Sequence, residues 1–155
     1  MKHLSTKSFL ERHGINFIKD DQKDVTKVDY IWGDTSDLKK VKFLVSLIEN
    51  KFSNGKILEI GTYRGTTTYS MASVLDNGLI VTVDCGYEHL KTLIKKETTE
   101  HNNVIKYSKY KIGEFYKEKL SDTKSIMQIT GLTNSQETMQ QIINYGPYDL
   151  IYVDA

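Results

Sequence analysis

The sequence predicts an α/β fold, a doubly wound parallel sheet in three layers (α/β/α). Three observations predict it. Short β-branched apolar runs alternate with helical stretches along the chain. A glycine-rich turn, Gly61 to Gly65, follows the first of these runs. Acidic residues, Asp84 and Asp154, stand directly after two others. In a doubly wound sheet the ligand lies beyond the carboxyl ends of the strands, so these are the positions where function is expected.

The first run is Lys56 to Ile60, where Ile57, Leu58 and Ile60 are flanked by Asn54-Gly55 and Gly61, too brief for a helix. A helix is expected from Thr66 to about Leu75. Asp76-Asn77-Gly78 then turns the chain into a second strand, Leu79 to Val83, ending at Asp84. Strand, helix, strand implies a right-handed crossover and a parallel pair. A third strand is expected at Ser125 to Thr130, followed by a helix with Met139, Ile142 and Ile143 on its apolar stripe. The fourth is Tyr148 to Val153, introduced by Gly146-Pro147.

Ahead of the sheet, Val41, Leu44, Val45, Ile48 and Phe52 fall at i, i+3, i+4, i+7 and i+11, with Thr35, Ser36 and Asp37 available as caps. Leu4 to His13 reads as a shorter helix stopped by Gly14. The organisation expected is a helical lead-in over 1–53 and the N-terminal part of the sheet domain, its first four strands, over 54–155, the sheet being incomplete at its C-terminal end. The stretch between Asp84 and Ser125 is longer than one helix and two loops require, which marks an insertion at about 86–124. Within it, helices are expected near His89 to Thr99 and Ile112 to Leu120.

Composition narrows the function classes. The 155 residues suffice for one domain. Lys and Arg total 21 against 20 Asp and Glu, so no net field favours nucleic acid or an anionic membrane. Cys85 is the only cysteine, which excludes an intrachain disulfide. With no signal-like start and no apolar stretch near the roughly 18 residues that span a bilayer, a cytoplasmic protein is expected. His3, His13, His89 and His101 lack ligand spacing.

At the strand ends each residue type has a reason to be there. Gly61 allows a sharp turn and Gly65 close packing where the next helix starts. Asp84 follows about 20 residues later, the spacing at which an acid accepts hydrogen bonds from ribose hydroxyls. A nucleoside-containing cofactor follows. A dinucleotide site would place bare glycine against its pyrophosphate, whereas Tyr63 holds that position here and Glu59 adds an anion. A ligand carrying an ammonium and a sulfonium suits such a pocket better.

The segment EIGTYRGTTT, Glu59 to Thr68, resembles the first motif of class I S-adenosylmethionine-dependent methyltransferases, closest to the catechol-type and other small-molecule O-methyltransferases. GLTNSQE is similar to that family's third-strand loop, with one additional residue, and YDLIYVDA to its fourth-strand motif. The resemblance covers about Lys56 to Ala155 and implies a Rossmann-like domain. It implies that Glu59, Gly61, Thr62, Tyr63 and Gly65 surround the methionine end of S-adenosylmethionine, that Thr67 binds its carboxylate and Asp84 its ribose, and that Ser135 and Gln136 contact adenine. Asp154 would lie beside the methyl group as the candidate catalytic residue, and in metal-dependent members this acid ligates magnesium; a lone acid does not establish a metal here.

The expected activity is therefore O-methylation of a small molecule or sugar. Two other readings stay open. One is an inactive S-adenosylmethionine-binding or protein-interaction module, because the chain stops after Asp154, before the family's fifth strand and closing antiparallel pair, leaving an open sheet edge that a second copy could join. The other is an NAD-dependent oxidoreductase. Outside this constellation, Arg64 reads as a solvent-facing turn residue, Cys85 as a small strand-end residue, Tyr30 and Trp32 as packing groups, and Lys106 to Lys119, with alternating basic and aromatic residues, as an amphipathic helix rather than a nucleic-acid surface.

Overall fold

The computed structural model of the protein describes residues 35–86 and 111–154. The expected helices at Leu4 to His13 and His89 to Thr99, Tyr30, Trp32, and Lys106 to Tyr110 lie outside the described residues. In chain order the elements are α1 (Thr35–Leu47), a π-helical turn (Ile48–Phe52), β1 (Lys56–Ile60), α2 (Thr66–Ala72), β2 (Leu79–Asp84), α3 (Glu114–Lys119), β3 (Ile126–Thr130), α4 (Gln136–Tyr145) and β4 (Leu150–Val153).

The four strands form one sheet in the order β3-β2-β1-β4, with every pair parallel. Central strands are covered on both faces, which is why β2 reads as a near-continuous apolar run. Ile80, Val81, Thr82 and Val83 are all buried, whereas edge strand β4 alternates between half-buried and exposed positions. On one face Ile57 and Ile80 pack with Ile48 from the π-helical turn and Met71 of α2; on the other, Leu58, Val81, Val83 and Ile129 pack with Ile142 of α4. Helices on both faces make the three-layer, Rossmann-like arrangement that the alternation predicts.

Several elements differ from expectation: β3 and β4 start at Ile126 and Leu150 rather than Ser125 and Tyr148, and the amphipathic helix that carries Val41 to Phe52 passes into the π-helical turn after Leu47. Helix α2 ends at Ala72 rather than near Leu75, because Val74 and Leu75 bond back three residues, to the carbonyls of Met71 and Ala72, which tightens the last turn into the Asp76-Asn77-Gly78 bend. On α4 only Ile142 of the expected stripe is buried; Met139 and Ile143 are exposed, since the helix sits over β2 and β3 and no described residue covers its outer side. Helix α3 is shorter than Ile112 to Leu120, starting after Gly113 in a left-handed conformation. Among the described residues no helix is long and apolar enough to cross a membrane.

From β3 the chain crosses back over β2 and β1 to lay β4 on the far side of β1. The direction of winding therefore reverses between β1 and β4, and the crevice at their carboxyl ends is where such a sheet receives a ligand.

Candidate functional site

Because side chains alternate along a strand, the register assigns each position to a face. One row across the sheet is Ile126, Ile80, Ile57 and Leu150, all apolar. Two residues further along, the same face carries Gln128, Thr82, Glu59 and Tyr152. The sheet surface thus changes from core to polar site within one strand period, and the next step on this face reaches Asp84 after Thr82, Gly61 after Glu59 and Asp154 after Tyr152.

Glu59 is fully buried. Its Oε2 accepts two hydroxyl hydrogen bonds, from Thr68 on α2 and Thr82 on β2, both 2.5 Å. Its Oε1 has no hydrogen-bond partner among the described residues. Burial pushes the carboxyl up to about 7; the two threonine bonds pull it down, and the nearby carboxylates of Asp154 and Asp84 add to the rise. Thr62 Oγ1 and Thr82 Oγ1 are 2.6 Å apart. Thr82 has one hydroxyl proton and gives it to Glu59, so Thr62 is the donor of that pair.

The turn after β1 is held in left-handed backbone conformations at Gly61 (φ 102°), Tyr63 (φ 47°) and Gly65 (φ 83°). For Tyr63 this costs about 1–2 kcal/mol. The Asp84 carboxylate offsets that cost, accepting the N–H of Tyr63 at 2.7 Å and of Gly86 at 3.1 Å, so the end of β2 holds the glycine turn in place. A Cβ on Gly65 would stand 2.4 Å from Tyr116 Cδ1, and one on Gly113 would stand 2.3 Å from Tyr116 Cε1. The buried Tyr116 ring fills the notch between these two glycines and donates its hydroxyl to Gln128 Oε1 at 2.6 Å. Burial, then the charge of Glu59, pushes this phenol up to about 12. Around it Gly113 N–H donates to the Tyr63 carbonyl and Phe115 N–H to that of Arg64, so the start of α3 clamps the turn from outside.

Of the residues singled out in the sequence, Glu59, Gly61, Thr62, Tyr63, Gly65 and Asp84 come together at this corner, and Thr67 lies half-buried in the first turn of α2. Asp154 is exposed at the end of β4; its N–H donates to the Ile60 carbonyl at 2.9 Å and its carboxylate accepts the Tyr152 hydroxyl at 2.9 Å. Ser135 caps α4, accepting the Thr138 N–H at 3.2 Å and donating to Thr138 Oγ1 at 2.8 Å, while Gln136 is exposed on the first turn. Both lie beyond β3, one strand outside Asp84. Arg64 is not the solvent-facing residue expected: its side chain is 14% exposed and pairs with Glu114 at 2.9 Å. Cys85 is half-buried, and burial together with Asp84 pushes its thiol up, away from the reactive thiolate. Phe115 and Tyr116 are buried, which removes these aromatics of the basic segment from any base-stacking surface.

No three His, Cys, Asp or Glu side chains among the described residues are grouped so as to hold a metal. Among the described residues Asp154 offers one carboxylate with a tyrosine beside it, which does not establish a magnesium site. Sequence reasoning missed Thr68, Thr82, Gln128 and Tyr116. The one visible signal was Thr82, a polar residue inside the apolar run LIVTV.

No family model matches the chain, and no curated protein matches it. Solved structures do. An O-methyltransferase from Bacillus cereus in complex with SAH is 24% identical, with 85% of this chain covering 60% of that one at a TM-score of 0.44. The O-methyltransferase TomG from Streptomyces achromogenes, involved in tomaymycin synthesis and solved with SAM, is 16% identical, with 94% covering 58% at 0.48. A protein-L-isoaspartate O-methyltransferase is 15% identical, with 96% covering 46% at 0.45. The chain spans about half to three-fifths of the length of these structures.

Proposed function

We propose that this site binds S-adenosylmethionine and serves methyl transfer to an oxygen nucleophile on a small molecule or sugar. The observation that carries the proposal is the convergence of three carboxylates, Glu59, Asp84 and Asp154, on one face at the switch point around the glycine turn, one of them buried with an oxygen lacking a donor. Buried charge is tolerated where a ligand completes it. An ammonium and a sulfonium are cations that such a corner attracts, whereas a pyrophosphate would be repelled by the same three groups, which argues against a dinucleotide.

When bound, S-adenosylmethionine supplies an electrophilic methyl on sulfur. The residues of the chain then bind and orient. Glu59 Oε1 accepts from the ammonium, Thr67 donates to the carboxylate, and Asp84 accepts the ribose hydroxyls with lone pairs beyond those used by Tyr63 and Gly86. Gly61, Thr62, Tyr63 and Gly65 shape the wall, Ser135 and Gln136 stand toward the adenine, and Asp154 faces the methyl end. Most of the rate would come from alignment of the acceptor oxygen with the sulfur–methyl bond in a site that excludes water. No metal is needed for this reading.

The test is calorimetric titration of the full chain with S-adenosylmethionine and S-adenosylhomocysteine. Binding of both is expected; binding of neither removes the reading. A second reading, an interaction module, rests on one observation: Ile151 and Val153 of edge strand β4 are 58% and 62% exposed. Sedimentation that shows self-association through this apolar face, together with failure to bind either nucleoside, would favour it.

A further inference from the structure

The glycine turn accounts for the shape of the site but not for Thr82. This residue lies outside the turn, on β2, fully buried inside a run whose neighbours are Val81 and Val83. Valine there would fill a similar volume and suit the strand, whereas a buried hydroxyl costs stability unless it is hydrogen-bonded. Thr82 gives its proton to Glu59 Oε2 and accepts from Thr62. Thr68, from α2, donates to that same oxygen. Two donors converge on one oxygen of a carboxylate while the other has none among the described residues. A free choice of hydrogen bonding would share them, because an unsatisfied buried acceptor is costly.

We infer that Thr82 and Thr68 are positioning residues that commit Glu59 Oε2 to the protein and so present Oε1, rigidly and unpartnered, to the ammonium end of the ligand. This rests on the reading of the site as one for S-adenosylmethionine. The two-residue period of β2 gives the arrangement a second consequence. Thr82 and Asp84 share a face, so one strand sets the acceptor for the amino-acid end, through Glu59, and carries the acid for the ribose. The chain Thr62 to Thr82 to Glu59 ties that setting to the glycine turn itself.

The test compares Thr82→Val, Thr82→Ser and Thr68→Val with the unaltered full chain, titrating S-adenosylhomocysteine, which carries the ammonium, and 5′-methylthioadenosine, which lacks the amino-acid portion. The two valine variants should bind S-adenosylhomocysteine about tenfold or more weakly, the loss expected for one hydrogen bond to a charged group. Both should hold 5′-methylthioadenosine within about twofold, and Thr82→Ser, which keeps the hydroxyl, should restore S-adenosylhomocysteine to within about threefold. Equal losses for both ligands would mean that the threonines merely support the fold, and unchanged binding of both would mean that they do not position Glu59; either overturns the inference alone. If the unaltered chain binds neither nucleoside, the cofactor reading falls and takes this inference with it. Should Thr82→Val fold poorly by melting temperature, Thr68→Val carries the same comparison from the opposite side of the carboxylate.

Discussion

Replacing Glu59 with glutamine isolates what the buried carboxyl costs the fold. The group titrates near 4.5 when exposed and at about 7 in the folded chain, burial being the main cause. At about 1.36 kcal/mol per pH unit of displacement, that difference of about 2.5 corresponds to about 3 kcal/mol. The sign follows from proton counting. Between about pH 4.5 and 7 the folded chain holds a proton that the unfolded chain has lost, so stability falls as pH rises through this window and is level above it. Glutamine imitates the protonated carboxyl, since its oxygen can accept from Thr68 and Thr82 and its amide then occupies the place of Oε1. Glu59→Gln should therefore remove this slope. Urea unfolding from pH 4.5 to 8 should find the unaltered chain losing about 3 kcal/mol relative to the variant, or roughly 6–12 °C in Tm for a chain of this size. A difference that stays constant across the range would refute the reasoning, because the carboxyl would then titrate normally. One that moves the other way would mean that the charged form is satisfied in the fold.

Gly65→Ala combines a positive φ of 83° with a Cβ 2.4 Å from Tyr116, and should cost at least about 2 kcal/mol in urea unfolding. Asp84→Asn sets an amide against the N–H of Tyr63 or Gly86; unfolding should show a loss of about 1–3 kcal/mol, and titration should show weaker nucleoside binding. The Arg64 and Glu114 side chains are mostly buried, so a double-mutant cycle with alanine at both positions should return a coupling of about 1–3 kcal/mol.

The sheet was legible because β1 and β2 are covered on both faces and so read as short apolar runs, broken at Glu59 and Thr82. The strand ends were legible as well, since Gly61 follows β1, Asp84 ends β2 and Asp154 follows β4. Contacts between distant segments were not. Nothing local in Arg64 announces Glu114, fifty positions later, and only the fold brings the Gly65 and Gly113 notches around Tyr116. The α4 stripe misled for a related reason: Met139, Ile142 and Ile143 have helical spacing, but spacing does not say how much of a stripe another layer covers, and here only Ile142 meets the sheet. Ser135 shows a third limit, because a hydroxyl that caps a helix and one that touches a ligand occupy the same sequence position.

The two rows of residues on the site face of the sheet predict opposite couplings between stability and binding. In the first, Ile57 and Ile80 are fully buried, and truncating either to alanine should cost about 2–5 kcal/mol while touching no group that meets a ligand. In the second, Glu59 is held where its charge destabilises the empty fold, so Glu59→Gln should be the more stable protein at pH 8 and yet the weaker binder. A residue kept for packing cannot give that combination, because its loss lowers stability and leaves affinity alone or lowers both. The sign of the two effects at Glu59, measured on the same samples, therefore separates a binding group from a structural one without any knowledge of the methyl acceptor.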